Sequence, residues 1–166
     1  MLKLIAVTSD DQIRKVAELA HNIWNQHFPA IIGQDQVDYM VERFQSDTAI
    51  RQQILAGYRY YLLRVFDFDA GYLALVERPE RQSLQISKLY ILQEWRGKGL
   101  ARETVQSITN MAHTLELHRL YLTVNKFNHS SISAYLKLGF EKKAEIVSDI
   151  GNGFVMDDYE MERELS

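Results

Sequence analysis

Ser87-Lys-Leu-Tyr-Ile-Leu-Gln-Glu-Trp-Arg-Gly-Lys-Gly-Leu-Ala101 is the stretch on which the reading of this chain turns. Leu84, Ile86, Leu89, Tyr90, Ile91 and Leu92 make an apolar, strand-like run that enters a short basic, glycine-rich turn. The turn opens into a helical pattern, with Ala101, Thr104, Val105, Ile108, Met111, Ala112 and Leu115 on one face. The first amides of a helix lack intrahelical acceptors and sit at the positive end of its dipole, so they form an anion site. Gly97 and Gly99 allow close approach to the backbone, and Arg96, Lys98 and Arg102 add positive charge.

Strand, glycine turn and helix also occur in nucleotide-binding folds, but the spacing differs. The third glycine of Gly-x-Gly-x-x-Gly is replaced by Arg102, and no Gly-Lys-Ser/Thr closes the loop. The chain carries instead Arg96-x-x-Gly99-x-Ala101, followed by Asn128-His-Ser-Ser-Ile-Ser-Ala-Tyr135-Leu-Lys-Leu-Gly139-Phe140. Together these resemble the two halves of the core of the GNAT superfamily of N-acetyltransferases. The second half departs from the family at Ser131, where alanine is common.

The resemblance implies an α/β (α+β) fold with a central mixed, mostly antiparallel sheet of about seven strands, flanked by helices. It implies a splay between the fourth and fifth strands, for which a β-bulge near Leu92 is a plausible cause. It also implies acetyl-CoA as co-substrate and direct attack by an amine without an acyl-enzyme, with which the absence of cysteine agrees. Carried onto this chain, the loop Arg96, Gly97, Lys98, Gly99, Leu100 and Ala101 would hold the pyrophosphate. Leu89, Tyr90 and Ile91 would offer a backbone edge to the pantetheine arm, and the Ile91 amide would face the oxyanion. Asn128 would contact the cofactor or cap its helix. Tyr135 would protonate the departing thiolate or pack beneath the cofactor.

Many family members place a glutamate in the fourth strand to deprotonate the amine. Residues 84–92 hold no carboxylate, only Gln85, Ser87 and Lys88 as polar residues, which leaves Glu77, Glu94 or a water chain as the base. The tail Met156-Asp-Asp-Tyr-Glu-Met-Glu162 puts four acids in a short span. These are either a wall for a polycation or solvated strand-edge charges. With Gln36-Val-Asp-Tyr-Met40 and Gln52-Gln-Ile54, the tail is similar to bacterial polyamine acetyltransferases, so a small-molecule amine such as spermidine leads as acceptor. A protein or peptide acceptor, and a CoA-binding regulatory module without turnover, are the alternatives. Trp24, His27, Phe28 and Tyr39 either line the acceptor pocket or belong to the core.

Composition bounds the rest. The chain has 166 residues, 46% of them hydrophobic, which suits one domain over 1–166 with a real core. A net charge of −3 gives no reason to expect nucleic acid. Without cysteine there are no disulfides and no thiolate chemistry, and the five histidines show no metal-ligand spacing. There is no leader pattern and no apolar run of membrane-spanning length, so a cytoplasmic protein is expected, with a homodimer as an assembly open to it.

Overall fold

The computed structural model describes residues 1–166. Two of its helices start on side-chain caps. Helix α1, Asp10–His27, is closed at its start by a reciprocal box: Gln12 N–H donates to Ser9 Oγ at 3.2 Å, and Ser9 N–H donates to Gln12 Oε1 at 3.0 Å. It buries Ile13, Val16, Leu19, Ala20, Ile23 and Trp24 along one stripe. Phe28 ends it, and Pro29 then begins a separate four-residue helix, α2, Pro29–Ile32. A proline is suited to that first position because no N–H is needed there. Gly33, at φ 84°, turns the chain into α3, Gln34–Phe44. Ser46 caps α4, Asp47–Leu55, after which Gly57 takes a left-handed conformation.

The seven strands are β1 (Leu2–Ala6), β2 (Arg59–Val65), β3 (Phe68–Arg78), β4 (Ser83–Ile91), β5 (Arg119–Asn125), β6 (Glu141–Gly151) and β7 (Phe154–Glu164). Helix α5, Leu100–Thr114, joins β4 to β5, and α6, His129–Lys137, joins β5 to β6. The strand order is β1-β2-β3-β4-β5-β7-β6. Of these neighbours β4 and β5 run parallel, giving the mixed, mostly antiparallel sheet that was expected. The parallel ladder covers only Ser83–Gln85 against Arg119–Tyr121, although β4 continues to Ile91 and β5 to Asn125.

By contact the chain falls into two compact units. One comprises residues 1–76 and 87–105, the other residues 77–86 and 106–166. In the first unit, the turn between β2 and β3 is short. Phe66 and Asp67 alone make it, with the exposed Phe66 at φ 54°, because a left-handed turn matches the twist of the paired strands. The register of β2 on β3 passes from Leu63↔Gly71 to Arg64↔Asp69, so Ala70 is an extra residue and β3 bulges there. The Ala70 carbonyl accepts from Leu92 N–H at 2.8 Å, so a bulge does lie beside Leu92, but on the neighbouring strand.

In the second unit, β5 presents Leu120, Leu122 and Val124 to one face, in register with Arg163, Met161 and Tyr159 of β7. Tyr121, Thr123 and Asn125 face the other way, opposite Glu162, Glu160 and Asp158. The closing hairpin turns on Asn152-Gly153, both at positive φ, within the loop expected from the sequence.

Candidate active site

The basic loop is built into the first unit from both ends. Gln93–Trp95 form a single 3₁₀ turn, Arg96 is extended, and Gly97 and Gly99 lie at φ 74° and 81°. Glu103 N–H is bonded to the Gly99 carbonyl at 3.1 Å, so the preceding amides of the first turn of α5 have no acceptor within the helix. A Cβ placed on Gly97 or Gly99 would meet no atom within 4 Å, so the loop faces open space. That is the fit an incoming diphosphate requires. Leu100 anchors the helix start in an apolar cluster with Val65 and Ala70, against which Ile91 and Trp95 pack.

The Arg96 side chain does something the sequence did not suggest. Its Nε donates to the Ile91 carbonyl at 3.0 Å, and Nη1 lies 3.4 Å from His27 Nδ1. Arg96 therefore braces the loop against the end of β4, and what the loop offers to an anion is chiefly its backbone amides. Along β4, Leu92 N–H points to β3, so strand alternation turns the Ile91 amide to the opposite edge, as an oxyanion donor requires. Gly71 of β3 lies directly beneath Tyr90: a Cβ on Gly71 would sit 2.2 Å from the Tyr90 carbonyl oxygen. The ring of Tyr90 packs on Trp24 at 5.5 Å, Tyr72 at 5.4 Å and Phe28 at 6.1 Å. Trp24 and Phe28 are buried, which places them with the core reading; His27 and Tyr39 are half-buried.

Of Gln85, Ser87 and Lys88 in β4, Lys88 is the buried one. Its ammonium donates to three acceptors: the Phe44 carbonyl at 2.5 Å, Tyr60 Oη at 2.6 Å and Gln53 Oε1 at 3.0 Å. Burial pulls it down from the ordinary lysine value to about 7. An unfolded lysine keeps its proton to about 10.4, so between about 7 and 10 the unfolded chain binds more protons and stability rises with pH. Below about 7 the full cost of the buried charge is present. Removing the ammonium leaves no orphan, because Gln53 Nε2 still donates to the Phe44 carbonyl and Tyr60 to Gln53. Lys88→Met is therefore expected to raise stability at pH 6 by about 1–3 kcal/mol and to flatten its pH dependence. Urea unfolding at pH 6 and pH 9 measures both; an equal loss at the two pH values would show that the three bonds outweigh the desolvation.

In the second unit, Tyr135 lies in α6 with its ring edge-on to Phe140 at 5.4 Å, and burial raises its phenol above the ordinary value. Asn128 is buried and occupies the N-cap position of α6, but its side chain makes no capping bond; it accepts from Ser130 Oγ at 3.4 Å. The candidate bases Glu77 and Glu94 are both exposed. The acidic tail is largely matched by cations. Glu160 pairs with Arg81 at 2.9 Å, Glu162 with Arg119 at 3.4 Å, and Asp157 with Lys126 at 2.9 Å; Glu164 also pairs with Arg119. Arg81 lies over the Tyr121 ring at 3.7 Å. These partners come from segments distant in sequence, and no spacing rule announces them.

The arrangement is that of an acyltransferase fold, and comparison with known proteins agrees. Residues 18–140 match the acetyltransferase (GNAT) family, and the chain belongs to it. Among curated proteins, the spermidine N(1)-acetyltransferase of Escherichia coli K12 is 35% identical over 81 residues, which are 48% of this chain and 44% of that protein. The match thus spans less than half the length of that relative. Among solved structures, the PaiA N-acetyltransferase of Thermoplasma acidophilum, crystallised with coenzyme A, superposes with a TM-score of 0.80 over 99% of both chains at 15% identity. A chimera of the Vibrio cholerae spermidine N-acetyltransferase SpeG superposes with a TM-score of 0.68 over 98% of this chain and 94% of that one, at 23% identity. At these identities the two structures speak for the fold. No helix is long and apolar enough to cross a membrane.

Proposed function

We propose that this protein transfers the acetyl group of acetyl-CoA to a primary amine, with a small polyamine such as spermidine as leading acceptor. The observation that carries this reading is the loop into α5: two left-handed glycines facing open space and first-turn amides left free, in a chain of the GNAT family. The partial match to a spermidine acetyltransferase favours a polyamine over a peptide. Acetyl-CoA supplies a thioester carbonyl for the nitrogen to attack. The chain's own residues do the rest: amides of Gly97 to Ala101 hold the diphosphate, the edge of Leu89, Tyr90 and Ile91 aligns the pantetheine arm, Asn128 supports it, and Tyr135 returns a proton to sulfur.

Thiol release across a panel of polyamines, monoamines and peptides tests the reading. Release with spermidine but not with peptides is the expected result; CoA binding with no turnover of any amine would instead indicate a regulatory module. Two substitutions separate the parts of the loop. Lys98→Ala removes an exposed charge and is expected to weaken CoA binding several-fold at low salt and less at high salt. Arg96→Ala frees the Ile91 carbonyl and is expected to weaken binding at all salt concentrations, because the loop loses its brace. Calorimetric titration at two ionic strengths distinguishes the two patterns, and unaltered affinity in both variants counts against the phosphate-loop assignment.

A further inference from the structure

Among the acids of the tail, Asp158 stands apart. Glu160, Glu162 and Asp157 each have a cation, whereas the Asp158 carboxylate has neither an ion pair nor a side-chain hydrogen bond, although the residue is only 6% exposed. Its position is as specific as its isolation. It is in register with Asn125, the last residue of β5, and with Ile146 of β6. It therefore lies at the end of β5 remote from the short β4–β5 ladder, on the face that carries Tyr121 and Thr123. The Asn125 amide oxygen is already committed to Phe127 N–H, so it does not compete for a cation at this point. The residue is buried, yet its carboxylate oxygens are not sealed from solvent, so a cationic ligand can reach them and complete a group that has no partner of its own.

We propose that Asp158 is the carboxylate that receives the ammonium of the acceptor and takes its proton before attack. The inference rests on the amine acetyltransferase reading above and supplies the base that β4 lacks. The charged groups around it bear on the assignment. Asp157 beside it and its own burial favour the protonated form, Lys126 opposes them, and Glu160 on the same face is neutralised by Arg81. The balance raises the Asp158 carboxyl to about 6, so near neutral pH it is ionised yet basic enough to accept a proton.

The proton account closes. The ammonium gives one proton to Asp158, and the freed lone pair forms the C–N bond as the C–S bond breaks. Tyr135 protonates the departing sulfur. The nitrogen then loses its second proton, which restores the Tyr135 phenol, and Asp158 sheds its proton to solvent. One amide, one thiol and one released proton result.

Asp158→Asn is expected to lower kcat/KM for spermidine by about a hundredfold or more near pH 7, with CoA affinity unchanged. The pH profile separates a base from a merely structural residue. Wild type should rise to about pH 6 and then level off, because Asp158 does the deprotonation. The variant should rise tenfold per pH unit toward the amine's own value near 10. A weakly basic amine, already neutral at pH 7, should restore most of the variant's rate. A wild-type profile that climbs without a plateau to pH 9 overturns the proposal even if Asp158→Asn fails to fold, and so does an unchanged rate and profile in the variant. If wild type releases no thiol with any amine, it is the functional reading that fails.

Discussion

Tyr135→Phe is expected to cut turnover by about a hundredfold or more while leaving CoA affinity within about twofold of wild type. The substitution removes only the hydroxyl. The ring keeps its edge contact with Phe140, so α6 should hold its place and stability should change by about 1 kcal/mol at most. On the proposed reading, what is lost is the proton donor for the departing thiolate. Burial raises the Tyr135 phenol, so the protonated form persists to higher pH than for a free tyrosine, and its ionisation should impose no loss of rate between pH 7 and 9. Thiol release under single-turnover conditions, with CoA titrated in parallel, measures both quantities. Equal turnover in the two proteins would reduce Tyr135 to a packing residue.

Gly71→Ala is expected to destabilise the protein by about 3 kcal/mol or more, because overpacking against a backbone that cannot yield is costly. The added methyl would lie 2.2 Å from the Tyr90 carbonyl oxygen and 3.0 Å from Ile91 Cα, and both belong to main chain rather than to a flexible side chain. The end of β4 would have to move away from β3, and the Leu92–Ala70 bond at 2.8 Å would stretch with it. On the proposed reading the same displacement shifts the edge that aligns the pantetheine arm, so the folded fraction should also bind CoA more weakly. Urea unfolding gives the first effect and calorimetry on the folded protein the second. Stability within about 0.5 kcal/mol of wild type would mean that β4 does not approach β3 this closely in solution.

The parts of this fold that are legible in the sequence are those whose physics is local. Ser9 with Gln12, Gly33, Ser46 and Gly57 act on neighbours within a few residues, and each marks a helix end where the chain places one. The glycine loop into α5 is of the same kind. What stayed hidden depends on partners far along the chain. Lys88 reads as one more polar strand residue until Phe44, Gln53 and Tyr60 close around it. Arg96 reads as a phosphate ligand until Ile91 and His27 claim its side chain. The acidic tail reads as a uniform run, yet Arg81, Arg119 and Lys126 sort it into paired acids and one solitary carboxylate. The β2–β3 turn is set by its surroundings too, since the strand twist selects Phe66 despite its side chain.

The bracing of the basic loop has a thermodynamic consequence. Trp95 and Leu100 pin it to the apolar cluster, Trp95 also meets Phe68 at 5.9 Å, and Arg96 ties it to Ile91. On the proposed reading its amides are thus aimed before the diphosphate arrives, and little conformational entropy is left to surrender on association. Affinity gained in this way is lost through faster dissociation when a brace is cut, with the rate of encounter barely altered.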